Sequence, residues 1–185
     1  MILTEVLSKV KFWRKTDRIG PDIPWTHWRL YFPKTMIKLC QSKFKSFALS
    51  AEIRPGAYIV GCSQITIGTN VVIRPGTMIH AETETLEHSV EIEDDVLIGS
   101  GVHIYVENHK FMDSNKAILY QGHDLAKKVT IMKGSWIGAN AIILPGVTLG
   151  KNSVVGAGSV VTKSTSDFSV VVGSPAKMVK TIEQN

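Results

Sequence analysis

The 185-residue sequence has few cysteines and lacks any long apolar run. Its two cysteines, Cys40 and Cys62, are too few for a disulfide framework, so a reducing, cytoplasmic location is expected. No apolar run approaches the roughly 18 residues that a membrane-spanning helix requires. Because Glu5 and Lys9 interrupt the apolar stretch at the N-terminus, no secretory signal is expected either.

The sequence also lacks the short motifs of several enzyme classes. It has no cysteine cluster and no histidine pair at ligand spacing on a helix, so no metal site is predicted. A Gly-x-Ser-x-Gly nucleophile elbow is absent, and residues 156–159, which come nearest to it, fall within a repeat. Walker and dinucleotide-binding fingerprints are absent as well. Enzymes built on these motifs are therefore disfavoured.

A six-residue period organises most of the chain. Between Val129 and Thr162 a large aliphatic residue recurs every six positions, and a small or β-branched residue stands two positions before each one. The aliphatic series is Ile131, Ile137, Ile143, Leu149, Val155 and Val161, and the small series is Val129, Ser135, Ala141, Val147, Ser153 and Ser159. This period is neither helical nor a simple strand alternation. It indicates a structural repeat.

The repeat predicts a three-sided β solenoid. Each unit would supply one short strand and one turn, three units would close a coil of about 18 residues, and both residue series would point inward. Gly138, Gly150 and Gly156 directly follow three of the aliphatics, where a Cβ would obstruct a tight corner. A β-sandwich is disfavoured because its strand separations would be irregular.

The count begins at Ala51 and has two long interruptions. Residues 80–89 form an acidic excursion, and residues 105–128 form a longer aperiodic loop that returns to the same repeat. A loop of this length inside a regular repeat is unusual unless it is functional. After Thr162 we expect a strand at 168–172, a turn at 173–177 and a short helix at 178–183. The predicted divisions are an appendage (1–50), an all-β solenoid (51–166) and a C-terminal strand and helix (167–185).

The N-terminal appendage is basic and aromatic. The chain carries a net charge of +5, yet residues 1–50 alone have a balance of +7. Residues 2–15 and 34–47 are each predicted to form an amphipathic helix, and 25–32 is the densest aromatic cluster. The aromatics can cap the open end of the solenoid, or the basic helices can face lipid-linked or membrane-associated acceptors. Nucleic acid is a weaker alternative, because no recognised binding motif is present.

Three stretches resemble the hexapeptide-repeat acyltransferases, whose fold is a left-handed parallel β-helix. The resemblance covers roughly residues 51–180 and is strongest at 136–150, 155–163 and 173–177. These segments are similar to the sugar O-acetyltransferase branch, which includes the maltose and galactoside acetyltransferases. The N-terminal segment looks more like that of capsule and O-antigen acetyltransferases. This likeness favours a saccharide intermediate or a polysaccharide as the acceptor.

The resemblance implies a catalytic apparatus. His109 matches the general base of that branch, and histidine as a residue type suits the task because an unperturbed imidazole, with a pKa of about 6.5, is mostly neutral in the cytoplasm. Glu107 or a loop carbonyl is expected to fix its tautomer, and the backbone N–H of Ala139 is expected to bind the oxyanion. Acetyl-CoA would be the donor, no metal would be needed, and the assembly would be a homotrimer with each active site between two subunits.

The resemblance also implies a set of residues that bind the coenzyme. Trp136 belongs to it, and the small residues Ala139, Ala157 and Gly158 would permit close approach of the pantetheine chain. Thr162, Lys163 and Lys180 would meet the phosphates.

Several alternatives stay open. The five other histidines are His27, His80, His88, His103 and His123. Among them His103 is the runner-up base, because alternation between Val102 and Ile104 points it outward. An amino-sugar amine or a xenobiotic alcohol could replace the sugar hydroxyl as acceptor. A non-catalytic β-helix scaffold is a further alternative, although a scaffold has little use for the long loop.

Overall fold

The computed structural model describes residues 2–81 and 89–183. In these ranges the helices are α1 (Ile2–Lys15), α2 (Pro24–His27) and α3 (Pro33–Lys43), with 3-10 turns at Trp28–Tyr31, Cys62–Gln64 and Ile118–Tyr120. The strands are β1 (Arg18–Ile19), β2 (Ser46–Phe47), β3 (Glu52–Ile53), β4 (Tyr58–Val60), β5 (Ile65–Ile67), β6 (Val72–Ile73), β7 (Met78–His80), β8 (Val90–Ile92), β9 (Leu97–Ile98), β10 (His103–Tyr105), β11 (Val129–Ile131), β12 (Trp136–Ile137), β13 (Ile142–Ile143), β14 (Thr148–Leu149), β15 (Val154–Val155), β16 (Val160–Val161), β17 (Ser169–Gly173) and β18 (Ala176–Thr181).

Successive strands join three sheets in rotation. The strand orders are β1-β4-β7-β10-β13-β16 in the six-stranded sheet, β2-β5-β8-β11-β14 in the five-stranded sheet and β3-β6-β9-β12-β15-β17-β18 in the seven-stranded sheet. Most neighbours are parallel and three strands apart in the chain, as where Ile104 of β10 lies opposite Ile143 of β13. Each circuit of three strands thus stacks on the one before. The predicted organisation in parallel sheets with few helices is confirmed.

The two inward series of the repeat form the core. The aliphatic residues from Ile131 to Val161 are at most 1% exposed, and the small residues between them are also buried. Buried serines make hydrogen bonds: the Ser135 hydroxyl donates to the Gly150 carbonyl at 2.9 Å, and the Ser159 hydroxyl accepts from the Gly173 N–H at 3.1 Å. A small residue fits beside the corner, and a hydroxyl there can bond to the backbone of the next coil.

The glycines after the aliphatics are required by stacking and not by the turn itself. A Cβ at Gly138 would lie 2.5 Å from the Ala157 nitrogen on the next coil. The left-handed backbone conformation falls two residues later, at Asn140 (φ 58°) and Gly158 (φ 68°), where asparagine and glycine are tolerated. The sequence-based reason for these glycines was therefore incomplete, because the obstruction comes from the neighbouring coil.

The N-terminal segment caps the solenoid and also pairs with it. Its buried residues join the hydrophobic core of the solenoid; they are Ile19, Leu30, Met36, Leu39, Cys40, Phe44 and Phe47. The segment therefore closes the end of the solenoid, but the aromatic cluster at 25–32 does not do so as expected, because Trp25, Trp28, Tyr31 and Phe32 are 37–62% exposed. The helix predicted at 34–47 ends at Lys43, because β2 then pairs in parallel with β5. Strand β1 pairs antiparallel with β4, so two strands of the first 50 residues belong to the sheets.

The short helix predicted at 178–183 is wrong. Strand β18 occupies Ala176–Thr181 and pairs antiparallel with β17, with an irregularity at Val170/Val171. The last coil leaves one edge of β17 without a partner, and an unpaired edge is covered when the chain folds back along it. Tertiary pairing thus overrides the helical spacing of Met178, Val179 and Ile182.

Neighbouring residues of one strand test the inward-outward assignment. Ile143 is fully buried, whereas Ile142 beside it faces outward and is half-buried. Ile143→Ala should lower the free energy of unfolding by about 2–5 kcal/mol, because it leaves a cavity in the core. Ile142→Ala should cost clearly less in the same denaturant titration. Equal losses at the two positions would contradict the assignment.

Candidate active site

Two departures from the six-residue period fall at one edge of the solenoid. The extra residues near the 3-10 turn Cys62–Gln64 lie between β4 and β5, and the long loop lies between β10 and β11, whereas most of the predicted acidic excursion, residues 82–88, lies outside the described residues. Each of these connections leads from the six-stranded to the five-stranded sheet. The insertions therefore converge on the same edge, which we call the loop edge.

An open cleft of about 1230 Å³ lies at the loop edge. Its lining comes from four places in the chain: the stretch after α1, the turn after β4, the six-stranded sheet and both ends of the long loop. The lining residues are Asp17, Arg18, Val60, Gly61, Ser63, Gln64, His80, Tyr105, Glu107, Asn108, His109, Lys110, His123, Asp124, Leu125 and Leu144. The cleft thus brings together His109 and Glu107, two of the predicted catalytic residues.

The long loop forms a two-armed projection held by backbone hydrogen bonds. The Lys110 N–H donates to the Gly122 carbonyl at 2.9 Å, and the Asp124 N–H donates to the Asn108 carbonyl at 2.8 Å. His109 and His123 form a bridge between the two arms, and their ring centroids lie 4.2 Å apart. The base of the loop is therefore ordered by pairing across it, and this pairing fixes the backbone of His109.

His109 is exposed in the cleft, and Glu107 is half-buried beside it. Among residues 2–81 and 89–183 neither ring nitrogen of His109 has a hydrogen-bond partner, and Glu107 makes no hydrogen bond. The role of Glu107 in fixing the tautomer stays a prediction. The contact with His123 was not predicted, because the sequence does not reveal which residues of an aperiodic loop pair with each other.

The outer face of the six-stranded sheet adds a ladder of rings beside the cleft. His80 stacks on Tyr105 with centroids 5.3 Å apart, and Tyr58 lies 5.8 Å from the other side of His80. The Tyr105 hydroxyl lies 2.8 Å from Nδ1 of His103. His80 was assigned to the acidic excursion, but it is the last residue of β7. The inward Ile79 before it was the signal that could have placed it on the outer face.

The pKa of His80 is lowered from its ordinary value. Partial burial is the largest cause, and the nearby His103 and Arg18 also disfavour its charged form. The ring is therefore neutral at neutral pH and resists protonation on mild acidification.

The predicted oxyanion donor lies at a different edge. Ala139 follows β12 and precedes β13, so it lies where the chain passes from the seven-stranded to the six-stranded sheet, at what we call the ledge edge. Its carbonyl accepts from the Gly158 N–H of the next coil at 2.8 Å. Within the described part of the chain its own N–H has no acceptor and remains available for a ligand.

The predicted coenzyme residues divide between the two edges. Ala139, Ala157 and Gly158 stack at the ledge edge, and a Cβ at Gly158 would meet nothing within 4 Å. Trp136 is 50% exposed on β12 just before that edge. Thr162 and Lys163 follow β16 at the loop edge instead, and Lys180 lies on β18 beyond the last coil. One chain does not bring these residues into a single site, and their assignment stays a prediction.

Sequence and fold comparisons point to one family. The family model of the bacterial transferase hexapeptide (six repeats) matches residues 128–163. The chain is 32% identical over 144 residues to the galactoside O-acetyltransferase of Escherichia coli K12, across 78% of this chain and 67% of that relative. It belongs to the hexapeptide-repeat acetyltransferases.

Solved structures of similar fold agree with the assignment of this chain to the acetyltransferase family. One is a galactoside acetyltransferase in complex with coenzyme A, with a TM-score of 0.70, 28% identity and coverage of 84% of this chain and 78% of that one. Another is a maltose O-acetyltransferase from Clostridium difficile 630, with a TM-score of 0.69, 25% identity and coverage of 96% and 84%. Both share the solenoid and extend the likeness over most of the chain.

The described residues contain neither a metal-binding cluster nor a membrane-spanning helix. No group of three or more histidine, cysteine or acidic side chains there has the arrangement to hold a metal ion. No helix in residues 2–81 and 89–183 is both long and apolar enough to cross a bilayer.

Acid titration tests the environment of His80. Because its folded pKa lies below the unfolded value of about 6.5, the unfolded state binds the proton first. This group therefore lowers stability as pH falls from about 6.5 toward the folded pKa. The loss of unfolding free energy between about pH 7 and pH 5 should be smaller in His80→Gln than in the wild type.

Nuclear magnetic resonance supplies the control for this titration. In His103→Gln the pKa of His80 should rise toward its ordinary value, because a neighbouring positive charge is removed. If the His80 resonance titrates at the value of a free histidine in the wild type, the described packing of the ring ladder is wrong.

Proposed function

We propose that this acetyltransferase moves the acetyl group of acetyl-CoA to a hydroxyl of a saccharide, with His109 as the general base and a left-handed parallel β-helix as its scaffold. The observation that carries the proposal is the exposure of the His109 ring in the large cleft at the loop edge. The relatives support the reaction type, because they are named as galactoside and maltose O-acetyltransferases.

The proposed transfer proceeds directly within a complex of both substrates. A ring nitrogen of His109 takes the proton of the acceptor hydroxyl, and the oxygen attacks the thioester carbonyl. The tetrahedral intermediate places negative charge on the former carbonyl oxygen, which the free N–H of Ala139 would bind. When the intermediate collapses, the carbon–sulfur bond breaks and the thiolate recovers the proton from His109. The base and acid roles thus fall to one histidine.

The division of the assigned residues supports a shared active site. His109, Glu107, Thr162 and Lys163 lie at the loop edge, whereas Trp136, Ala139, Ala157 and Gly158 lie at or beside the ledge edge on the opposite side of the six-stranded sheet. In a ring of three chains the loop edge of one subunit would meet the ledge edge of its neighbour. We therefore propose a homotrimer in which each acetyl-CoA lies between two subunits.

The cleft favours an acceptor larger than a free monosaccharide. Its volume of about 1230 Å³ exceeds the roughly 300–1,000 Å³ of a pocket for one small ligand. The rings of His80 and Tyr105 offer flat faces beside it, and Arg18, Lys110 and Asp124 offer polar groups. We propose a polysaccharide or a saccharide intermediate of surface polysaccharide synthesis, acting in the cytoplasm. An amino-sugar amine is the second candidate acceptor.

Thiol release from acetyl-CoA measures the reaction. With a panel of galactosides, maltose and oligosaccharides, the wild type should release coenzyme A, and mass spectrometry of the product should find an O-acetyl ester. An amide product would instead identify the amine acceptor. If no sugar or amino sugar supports release, the proposed function fails.

Substitution of His109 tests the base. His109→Ala should lower kcat by about 10²–10⁴-fold while circular dichroism and subunit number stay unchanged, because the side chain is exposed. His123→Ala is the matched variant, since its ring packs on that of His109, and it should cost much less. If His123→Ala loses the larger factor, His123 is the base and the assignment of His109 is wrong.

A further inference from the structure

Helix α1 leaves its apolar side exposed. Ile2, Leu3, Val6 and Leu7 are between 51% and 78% exposed, and no residue of α1 is buried. Helices on the surface of a globular protein normally turn such a stripe toward the core. Because the solenoid is already capped by α2, α3 and the segment between them, the stripe of α1 is not needed for the core.

Basic side chains border this stripe on both sides. At 100° per residue, Ile2, Leu3, Val6, Leu7, Val10 and Trp13 fall within an arc of about 140°. Lys9 lies just outside one border of the arc and Lys11 just outside the other, and Arg14 lies within the arc near the border of Lys11. Glu5 is the single acidic residue of the helix. An apolar stripe flanked by lysines is the pattern of a helix that lies in the plane of a bilayer surface.

The exposed apolar surface continues from α1 onto the aromatic cluster. The Arg14 guanidinium lies 5.4 Å from the centre of the Trp25 ring, and Arg29 lies 5.3 Å from Trp25 and 5.7 Å from Trp28. The rings of Trp28 and Phe32 then pack edge to face, with centroids 6.3 Å apart. We call the exposed apolar residues of α1 together with Trp25, Trp28, Tyr31 and Phe32 the α1–aromatic surface. Tryptophan and tyrosine favour the boundary between lipid and water.

We propose that the α1–aromatic surface docks on an anionic lipid bilayer. The positive charge of the N-terminal segment complements acidic headgroups, and the exposed aliphatic and aromatic side chains enter the boundary below them. A second copy of the chain is a poorer occupant of the same surface, because two such surfaces would bring like charges together.

Docking would hold the active-site cleft close to the headgroups. Thr16 and Asp17 alone separate the end of α1 from β1, and Asp17 and Arg18 line the cleft. A saccharide attached to a membrane lipid would then meet the cleft without leaving the bilayer surface. This consequence rests on the proposed function, whereas docking itself does not.

Vesicle flotation of the full chain tests the docking surface. The wild type should float with vesicles of phosphatidylcholine and phosphatidylglycerol, should float far less with phosphatidylcholine alone, and should be released by salt. Leu3→Glu with Leu7→Glu should lower partitioning by roughly tenfold or more, because the buried apolar area is lost. Lys9→Glu with Lys11→Glu should do the same, because attraction to the headgroups is lost.

Matched controls and the folded state make the result decisive. Leu49→Glu changes an exposed leucine (70%) outside this surface, and Lys151→Glu changes an exposed lysine on the solenoid; both should bind like the wild type. Thermal unfolding should be unchanged in every variant that alters α1, since α1 buries no residue.

Three results would overturn the docking proposal. They are no preference for anionic over neutral vesicles, equal flotation of the wild type and the α1 variants, or a change of subunit number in the α1 variants while flotation is retained. The last result would identify the α1–aromatic surface as a subunit contact. Because flotation needs no acetyl transfer, a chain that floats but acetylates no sugar would lose the proposed function and keep this inference.

Discussion

Close stacking of one coil on the next is the constraint on which this structure depends. Parallel pairing places each strand directly over the strand three positions earlier, so every inward aliphatic meets its equivalent on the next coil. The corners approach so closely that a single added carbon at Gly138 would lie 2.5 Å from a backbone nitrogen. The six-residue period follows directly, because any other spacing would move an aliphatic to the outer face or a Cβ into the neighbouring coil.

Close stacking also means that candidate catalytic and binding groups lie at the edges of the solenoid. Between Val129 and Thr162 the inward positions hold only aliphatics, alanine and hydrogen-bonded serines, and the strands are too short to carry insertions. Extra residues are therefore accommodated between strands, and both described insertions, near Cys62–Gln64 and at 105–128, lie at the loop edge. The opposite side of the six-stranded sheet keeps tight corners, where the N–H of Ala139 has no acceptor among the described residues. One edge thus supplies side chains on inserted loops, and the other supplies backbone groups at tight corners.

The features that could be predicted from the sequence are those that leave a regular spacing of residues or interrupt one. The parallel sheets, the inward residues, α1 and the place of His109 in a projecting loop all follow from a fixed period or from its interruption. The contact between the His109 and His123 rings depends on pairing within an aperiodic loop, which no period specifies. The placement of His80 was missed because the excursion was taken to start at His80, which is the last residue of β7. Strand β18 was missed because its partner, the free edge of β17, exists only once the last coil is in place.

The N-terminal segment shows the same limit. Its charge and its aromatic residues were visible in the sequence, but which of them face the core could not be derived. The structure divides them: Leu30, Met36 and Phe44 close the solenoid, whereas the apolar stripe of α1 and four aromatic rings remain outside. A cap and a docking surface can therefore share one segment, because they use different sides of it.

Subunit mixing tests most directly the claim that two edges of neighbouring chains form one active site. A His109→Ala chain lacks the base, and an Ala157→Trp chain has its ledge edge blocked, so each alone should be inactive. When the two are co-expressed and isolated as mixed trimers, about one third of the sites should combine an intact loop edge with an intact ledge edge from different subunits, because every 2:1 or 1:2 ring has one such interface. Acetyl transfer restored to about that fraction of the wild type would support the account. Mixed trimers that stay as inactive as the parents would contradict it, because both edges would then have to come from the same chain.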